Sequence, residues 1–196
     1  MIEAGYHDVP PGHIAAVVTY LEMRHPPPLL SPCPEGIAIR KLHQPSAAEY
    51  RTVFRAVGEP WLWFSRLIIP ETQLTAILHH PDVDVFFLDH NAEPQGLLEI
   101  DRRKFPDIEL TFFGLAPTMI GKGAGRYLIE YAIRHAFSFG PQRFWLHTCT
   151  LDSPQALGFY RKAGFTAYKR AVEIAPDPRL TGRLPRTTAP QIPIIE

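Results

Sequence analysis

The sequence predicts a mixed α/β (α+β) domain in which helices cover both faces of a mostly antiparallel sheet. Three observations support this fold class. Segments of alternating apolar residues are interleaved with segments of helical periodicity, which is typical of such domains. A glycine-rich turn follows one strand and opens a helix. The 196 residues, of which 45% are hydrophobic, suffice for one domain with a substantial core.

The predicted strands are runs of alternating or β-branched apolar residues bounded by turn residues. In chain order they are 37–42, 84–89, 95–101, 108–115, 143–148 and 165–174. The second and third flank Asn91 to Pro94, which suits a hairpin turn, so the strands of this region are expected to be antiparallel. Residues 13–23 are apolar enough for a strand or a short helix, and periodicity alone leaves both open.

The predicted helices begin at capping residues, at proline or at the glycine turn. In chain order they are 46–58, 70–79, 123–139 and 153–164. Ser46 and Ser153 can accept hydrogen bonds from first-turn N–H groups, and Pro154 suits the first position of the last helix. Gly164 ends that helix. The third helix has one apolar stripe, so it is expected to pack on the sheet.

Proline marks both ends of the chain, because seven of the 21 prolines lie in residues 1–34 and five in residues 176–196. Proline interrupts helices and central strands, so these ends are predicted to be extended. We therefore divide the chain into an N-terminal arm packed on the domain, 1–35, a compact domain, 36–174, and an extended C-terminal tail, 175–196. The arms could also wrap a second subunit in a homodimer.

Composition disfavours several classes of function. Twenty basic residues balance twenty acidic residues, so no overall field favours nucleic acid or an anionic membrane as a partner. The start of the chain has no secretory pattern and no run of about 18 apolar residues occurs, which predicts a cytoplasmic protein without a membrane segment. Cys33 and Cys149 fit neither a disulfide framework nor a zinc site, and no metal is expected.

The most informative segment runs from Leu115 to Arg126, where a strand breaks into a glycine-rich turn that opens a helix. Such a turn aims several backbone N–H groups at one point, so an anion is expected there. A dinucleotide motif requires a third glycine where Arg126 stands, and it would follow the first strand of the fold. A nucleotide-triphosphate loop requires a G-x-x-x-x-G-K-S/T string, which does not occur in this sequence.

The turn instead resembles the pyrophosphate loop of the GNAT acyltransferase superfamily, Q/R-x-x-G-x-G/A, which falls on residues 120–125. Gly123 and Gly125 match both glycine positions. Ile120 replaces the usual glutamine or arginine. Phosphate binding would therefore depend on backbone N–H groups, with Lys122 and Arg126 as additional contacts.

A second segment, residues 153–165, resembles the family's N-x-x-A-x-x-x-Y-x-x-x-G-F helix. The matching residues are Ala156, Tyr160, Gly164 and Phe165. The first position departs from the pattern, with Ser153 in place of asparagine. Two motifs in the right order, separated by one helix and one strand, make residues about 36–174 similar to this superfamily.

The resemblance implies a sheet splayed between its fourth and fifth predicted strands, with acetyl-CoA bound in the gap. The pantetheine arm would pair with the fourth strand, and the pyrophosphate would lie on the turn, where the helix dipole adds a favourable field. The implied cofactor-binding residues are Phe113, Gly114, Leu115, Gly121, Lys122, Gly123, Ala124, Gly125, Arg126 and Ser153.

The resemblance also implies that an amine attacks the thioester, which requires two proton movements. Tyr160 matches the family's motif tyrosine and is the predicted acid for the departing thiolate. Glu109 is the predicted base, because it lies on the strand before the turn, where some members carry theirs. Glu99, on the preceding strand, or a water chain is the alternative. Strand alternation places Glu109 on the face of Phe113 unless a bulge changes the parity.

The resemblance implies an acceptor pocket after the first strand of the compact domain, where two tryptophans and a phenylalanine precede an arginine. The predicted substrate-binding residues are Trp61, Trp63, Phe64, Arg66, Glu99 and His147. Packing of the helix on the sheet is the alternative role of Trp61 and Phe64. His147 shares a strand face with Cys149; a substrate-side role, a structural role and a Cys–His nucleophilic pair are the three alternatives, the last being the weakest.

The sequence thus predicts an N-acetyltransferase that moves an acetyl group from acetyl-CoA to a primary amine of a small molecule by direct attack. A non-catalytic acyl-CoA-binding module is the alternative motivated by Ile120 and Ser153. An acetyltransferase acting on protein N-termini or lysines is a further alternative, which the balanced charge disfavours.

Overall fold

A seven-stranded sheet organises the computed structural model, which describes residues 3–28 and 31–196. The strands are β1 (His13–Met23), β2 (Ile37–Lys41), β3 (Val83–His90), β4 (Glu93–Asp101), β5 (Asp107–Leu115), β6 (Arg143–Cys149) and β7 (Thr166–Pro176). Their order across the sheet is β2, β3, β4, β5, β6, β1, β7. Each neighbouring pair is antiparallel except β5 and β6, which are parallel.

Helices lie on both faces of this sheet. They are α1 (Ala47–Gly58), α2 (Ser65–Ile68), α3 (Glu71–Leu78), α4 (Ala124–Phe137) and α5 (Ala156–Lys162). One core lies between the sheet and the helices α1 and α3, and the other between the sheet and the helices α4 and α5. The predicted fold class is therefore confirmed. Within the described residues, no helix is long and apolar enough to span a membrane.

The ends of these elements show why the sequence forms them. The Ser46 hydroxyl accepts a 3.1 Å hydrogen bond from the Glu49 N–H and so caps α1, as predicted. Between β3 and β4, Asn91 and Ala92 have φ values of 51° and 68°, the left-handed conformation of a two-residue hairpin turn. The two strands therefore extend further towards the turn than the sequence predicts.

The parallel pair β5 and β6 splits the sheet. Its register contains the pairs Asp107 with Arg143, Ile108 with Phe144 and Glu109 with Trp145. Beyond these pairs β5 continues to Leu115 and β6 to Cys149 without a shared ladder. This is the splay expected between the fourth and fifth strands counted from Ile37. It leaves backbone N–H and C=O groups along the gap that a ligand can satisfy.

The segment 13–23, for which the sequence left two alternatives, is a strand. It lies inside the sheet, antiparallel to both β6 and β7. Leu21 and Met23 are buried in the core that contains α4. Part of the predicted N-terminal arm thus supplies a central strand, because alternate apolar residues of β1 face that core.

The start of the last helix differs from the sequence prediction. The helix α5 begins at Ala156, with Gln155 at its cap position, because the Ser153 hydroxyl bonds the Gln155 side chain at 2.9 Å and closes a turn instead of capping a helix. Residues 177–196 of the C-terminal tail form no helix or strand and pack on the domain. Leu184 is buried in the core of α1, and the buried Arg179 donates hydrogen bonds to three backbone carbonyls of the tail.

Candidate active site

A cleft of about 570 Å³ opens where β5 and β6 separate. Its lining comes from both strands, the glycine turn, the segment between α1 and α2, the loop after β6, and α5. Most of the predicted site residues line it together: Trp61, Trp63, Phe64, Arg66, Phe113, Gly114, Leu115, Gly121, Gly123, Gly125, Arg126, His147, Ser153 and Tyr160. The split thus brings Trp61 and Tyr160, which are 99 positions apart in sequence, to one site.

The glycine turn has the geometry of an anion site. Gly121 and Gly123 have φ values of 82° and 80°, a left-handed conformation that glycine adopts without strain. Helix α4 begins directly afterwards, at Ala124, and Gly123 provides no side-chain cap, so the N–H groups of the first turn are free for a ligand. Ile120 is 56% exposed and supplies no polar group. The turn therefore fits a pyrophosphate through its backbone.

Two residues predicted to contact the donor here do not line the cleft. Lys122 is exposed outside it, and the Ala124 side chain is fully buried in the core, so Ala124 can offer only its N–H. The Arg126 side chain, 73% exposed, lies at the cleft and donates a 3.1 Å bond from Nε to Glu130 Oε1. Of the two basic residues of this segment, Arg126 lines the cleft and Lys122 does not.

An apolar passage connects the glycine turn to the inner cleft. A Cβ atom on Gly125 would lie 3.5 Å from Leu115 and 3.7 Å from Phe159, so its absence keeps the passage between these side chains wide. The rings of Phe113 and Phe159 stack with their centroids 5.5 Å apart. A flexible, mostly apolar arm such as pantetheine fits this passage.

Tyr160 lies at the inner end of the passage, with its ring 6.0 Å from that of Phe113. The residue is 8% exposed. Burial, with a smaller contribution from the Asp152 charge, raises the pKa of Tyr160 well above its ordinary value. The hydroxyl thus remains protonated at neutral pH and can donate a proton or a hydrogen bond.

A β-bulge decides the orientation of Glu109. The register of β4 with β5 shifts so that Glu99 pairs with Phe112 and Ile100 pairs with Leu110. Thr111 is the extra residue, and the bulge reverses the parity of the side chains that follow. Glu109 therefore faces the side of α1, opposite to Phe113, and the simple alternation stated above does not hold.

Glu109 lies at the narrow end of the split, next to the cleft but not on its lining. Burial, together with the charges of Asp101 and Glu99, raises the pKa of Glu109 to about 7, and Lys104 opposes this shift. The cleft-lining His147 has its Nδ1 atom 4.0 Å from Glu109 Oε1. A carboxyl with this pKa can take up and release a proton near neutral pH.

Glu99, the alternative base and a predicted substrate contact, does not reach the cleft. It is fully buried, and its two oxygens accept 2.5 Å hydrogen bonds from the Tyr50 hydroxyl and from Arg66 Nη2. The same arginine lines the cleft with its guanidinium 5.0 Å from the centroid of the Phe112 ring. Glu99 therefore neutralises and orients Arg66.

The aromatic segment predicted to bind the acceptor is positioned by glycines and by a hydrogen bond. A Cβ on Gly58 would lie 2.4 Å from the Trp63 ring, and one on Gly114 would lie 3.0 Å from it, so the indole occupies a slot that only glycine leaves open. Its Nε1 donates a 3.1 Å bond to Asp152 Oδ1. The ring also packs against Phe54 and Phe112. Trp63 thus both packs the α1 side and lines the cleft.

A family model described as the acetyltransferase (GNAT) family matches residues 47–165, more than half of the chain. The chain belongs to the GNAT acetyltransferase family. The matched residues include the split between β5 and β6, the glycine turn and the motif of α5. The identification agrees with the resemblance inferred from the two motifs.

This GNAT protein is similar over part of its length to individual known acetyltransferases. A mycothiol acetyltransferase from Corynebacterium efficiens is 32% identical over 91 residues, which are 46% of this chain and 30% of the relative. A GCN5-related N-acetyltransferase from Sphaerobacter thermophilus has 18% identity and a TM-score of 0.57, with 85% of this chain and 52% of that chain covered. An aminoglycoside N-acetyltransferase solved in complex with CoA has 18% identity and a TM-score of 0.53, with 72% and 95% covered. The chain thus spans less than a third of that curated relative, and the two structures show the fold.

The cleft of this GNAT protein also contains Asp152, which sequence reasoning missed. Asp152 accepts bonds from Trp63 Nε1, from the Thr148 hydroxyl at 2.7 Å and from the Cys149 N–H at 2.9 Å. In the sequence it precedes Ser153 and Pro154 and is indistinguishable from an ordinary turn aspartate. Its contact with Trp63, 89 positions away, exists only in the fold.

Cys149 lies next to this carboxylate. Burial and the Asp152 charge raise the pKa of the Cys149 thiol to about 11. A thiol with this pKa is protonated at neutral pH and is a poor nucleophile. The structure thus gives no support to a nucleophilic pair of Cys149 with His147. Within the described residues, no group of His, Cys, Asp and Glu side chains could hold a metal ion.

Proposed function

We propose that this GNAT protein transfers an acetyl group from acetyl-CoA to a primary amine of a small molecule by direct attack. One observation carries the proposal: a single cleft joins an anion-binding turn, an apolar passage, a protonated tyrosine and an aromatic pocket, and a carboxyl with a pKa of about 7 adjoins it. Each of these is required at a different point along the donor and acceptor.

The donor fits the outer cleft. Its pyrophosphate would accept hydrogen bonds from the N–H groups of residues 123–126, and Arg126 would add a charge-assisted contact. The pantetheine arm would pass Leu115, Gly125 and Phe159, and its amides would pair with the free backbone of β5 at Phe113. The thioester would then lie in the gap near Tyr160.

The reaction requires one proton to leave the ammonium and one to reach the departing thiolate. Glu109 takes the ammonium proton, through His147 or a water molecule, since His147 is the lining residue nearest to it. The amine nitrogen then forms a bond to the acetyl carbon, and the carbon–sulfur bond breaks. Tyr160 donates its proton to the sulfur and regains one from the nitrogen through solvent. The products are an acetamide, free CoA thiol and one proton.

Two observations support a small-molecule acceptor. The cleft volume of about 570 Å³ must hold both the thioester end of the donor and the acceptor, which favours a compact amine. The relatives named above are a mycothiol acetyltransferase and an aminoglycoside N-acetyltransferase, and both names describe small molecules.

A non-catalytic acyl-CoA-binding module is the second candidate, and the exposed Ile120 in place of a polar side chain favours it. A panel of primary amines, assayed by release of CoA thiol from acetyl-CoA, separates the two. We expect release with at least one amine, and a loss of about 10- to 100-fold in kcat for Tyr160→Phe. Tyr131→Phe, on α4 outside the cleft, is the matched control. Stabilisation by acetyl-CoA without release in the whole panel would favour the binding module.

A further inference from the structure

Four aromatic side chains form a surface on the face of the sheet beside the cleft. They are Tyr20 on β1, Trp145 and His147 on β6, and Tyr168 on β7. The Tyr20 ring has its centroid 6.1 Å from Trp145, 5.6 Å from His147 and 6.2 Å from Tyr168. We call these four residues the aromatic platform.

No core packing accounts for the platform. Tyr20 pairs with His147 across the strands, while their neighbours Leu21 and Leu146 face the opposite side, in the core of α4. Within residues 3–28 and 31–196, none of the four platform residues belongs to either core. Tyr168 is 43% exposed, and so is the His147 side chain. An open cluster of rings on a sheet face is typical of a binding surface.

The platform is continuous with the proposed active site. His147 belongs to the platform and also lines the cleft. Trp145 pairs in register with Glu109, whose carboxylate is 4.0 Å from His147 Nδ1. An acceptor whose amine lies near Glu109 and the thioester can therefore extend its other end over these rings. The surface is the continuation of the acceptor pocket across β6 and β1.

The charges near the platform restrict which kind of acceptor can bind there. Lys169 Nζ lies 4.7 Å from the centroid of the Tyr20 ring, and the Arg143 guanidinium lies 5.7 Å from that of Tyr168. Arg143 is paired with Glu22 and Asp107, whereas Lys169 has no ion-pair partner within the described residues. Lys169, which lies over the Tyr20 ring, would therefore repel a positive charge on the acceptor, whereas an uncharged aromatic ring can stack on the platform.

We propose that the aromatic platform binds the body of the acceptor, and that the acceptors of this protein are primary amines joined by a short chain to an aromatic ring. The inference rests on the proposed function, because it assigns the acceptor class of that same site. It adds Tyr20, Trp145 and Tyr168 as residues that determine specificity.

The test compares 2-phenylethylamine with 2-cyclohexylethylamine and with spermidine in the thiol-release assay. We expect kcat/KM for the aromatic amine to be at least tenfold higher than for either of the others. Trp145→Leu and Tyr20→Leu should each raise KM for 2-phenylethylamine about tenfold and change that for the cyclohexyl amine less than twofold. Tyr6→Leu is the control, because Tyr6 is fully exposed and does not belong to the platform. Equal rates for the two ring amines, or equal losses in the variants, overturn the inference and leave the proposed function standing.

A binding measurement separates the inference from the proposed function. Saturation-transfer NMR of 2-phenylethylamine with the full chain and acetyl-CoA should show the ring protons in contact, and Trp145→Leu should abolish the effect while circular dichroism remains unchanged. If Trp145→Leu abolishes the signal but the wild-type protein releases no thiol with any amine, the platform assignment stands and the proposed transferase function is wrong. Light scattering that shows a dimer, dissociated by Trp145→Leu, would assign the platform to a second copy and overturn the inference.

Discussion

The indole Nε1 of Trp63 donates a 3.1 Å hydrogen bond to the carboxylate of Asp152 across the gap between the two halves of the split sheet. Trp63 belongs to the segment after α1, and Asp152 belongs to the loop after β6. Both residues line the cleft. Since β5 and β6 share no ladder at this level, this bond is a direct link between the halves, and it limits the width of the cleft at this point.

Replacing Trp63 with phenylalanine should remove this hydrogen bond between the two halves of the sheet. The ring packing on Phe54 and Phe112 is largely kept, whereas the hydrogen bond to a carboxylate is lost. We expect the free energy of unfolding to fall by about 1–2 kcal/mol and the acceptor KM to rise several-fold. Urea denaturation and steady-state kinetics measure the two effects. Trp61→Phe, at another cleft-lining tryptophan, is the control, and an equal loss of stability there would argue against the link.

Gly123→Ala should weaken donor binding, because a residue with a Cβ is strained at a φ of 80° and the N–H groups of the turn would shift. The expected cost to stability is about 1–2 kcal/mol. Gly140→Ala is a matched control, since Gly140 has a φ of 68°, open space around it and no place in the cleft. Both variants should lose similar stability, but only Gly123→Ala should lose the increase in Tm caused by acetyl-CoA. Equal stabilisation of the two variants by acetyl-CoA would contradict the assignment of the turn.

The raised pKa of Glu109 predicts that activity depends on pH. Because its pKa is raised to about 7, the base form accumulates only above that pH. We expect kcat/KM to rise about tenfold per pH unit below pH 7 and to level off above it. Glu109→Gln should lower the plateau and remove the inflection near pH 7. A wild-type profile that is flat from pH 5 to pH 8 would exclude Glu109 as the base.

The raised pKa of Glu109 also predicts that the stability of the folded protein decreases as the pH rises. The folded state holds the Glu109 proton up to a pH of about 7, whereas the unfolded state releases it near 4.5, so stability falls as the pH rises between these values. Glu109→Gln removes this loss, which is at most about 3 kcal/mol. We expect the variant to have a higher Tm than wild type at pH 8 but not at pH 5. Glu93→Gln, at an exposed glutamate, should show no such difference between the two pH values.

Glu99 and Arg66 should show strong coupling in a double-mutant cycle. Glu99→Gln leaves the buried Arg66 guanidinium without its counter-charge and is expected to cost about 3–5 kcal/mol. The double variant Glu99→Gln with Arg66→Met removes both charges and should recover much of that loss. Chemical denaturation of the four proteins gives the coupling energy, and strictly additive losses would show that the pair is not coupled.

Some of the site follows from local sequence because it depends on backbone conformation or on a short helix. The turn at Gly121 and Gly123 requires positive φ, which glycine alone adopts freely. The position of Tyr160, about one helical turn before Gly164, is a property of one helical segment. The alternation of apolar residues likewise predicts the strands and the fold class.

Other features depend on contacts between distant segments, which no local pattern encodes. The bulge at Thr111 reverses the face of Glu109, and its pKa reflects burial and charges contributed by β4. Glu99 was a candidate base by sequence position, yet its burial against Tyr50 and Arg66 removes it from the cleft.

The sequence by itself determined the family, the six strands from Ile37 onward, four of the helices and the donor motifs, because these reside in residues that are close together along the chain. The tertiary structure decided that residues 13–23 form a central strand, and which side chains meet in and beside the cleft: Asp152 with Trp63, and Tyr20 with Trp145 and His147 through the insertion of β1 beside β6. The physical reason is that burial, electrostatic environment and cross-strand pairing are set by neighbours in space, and β1 and β6 are more than a hundred residues apart in the chain.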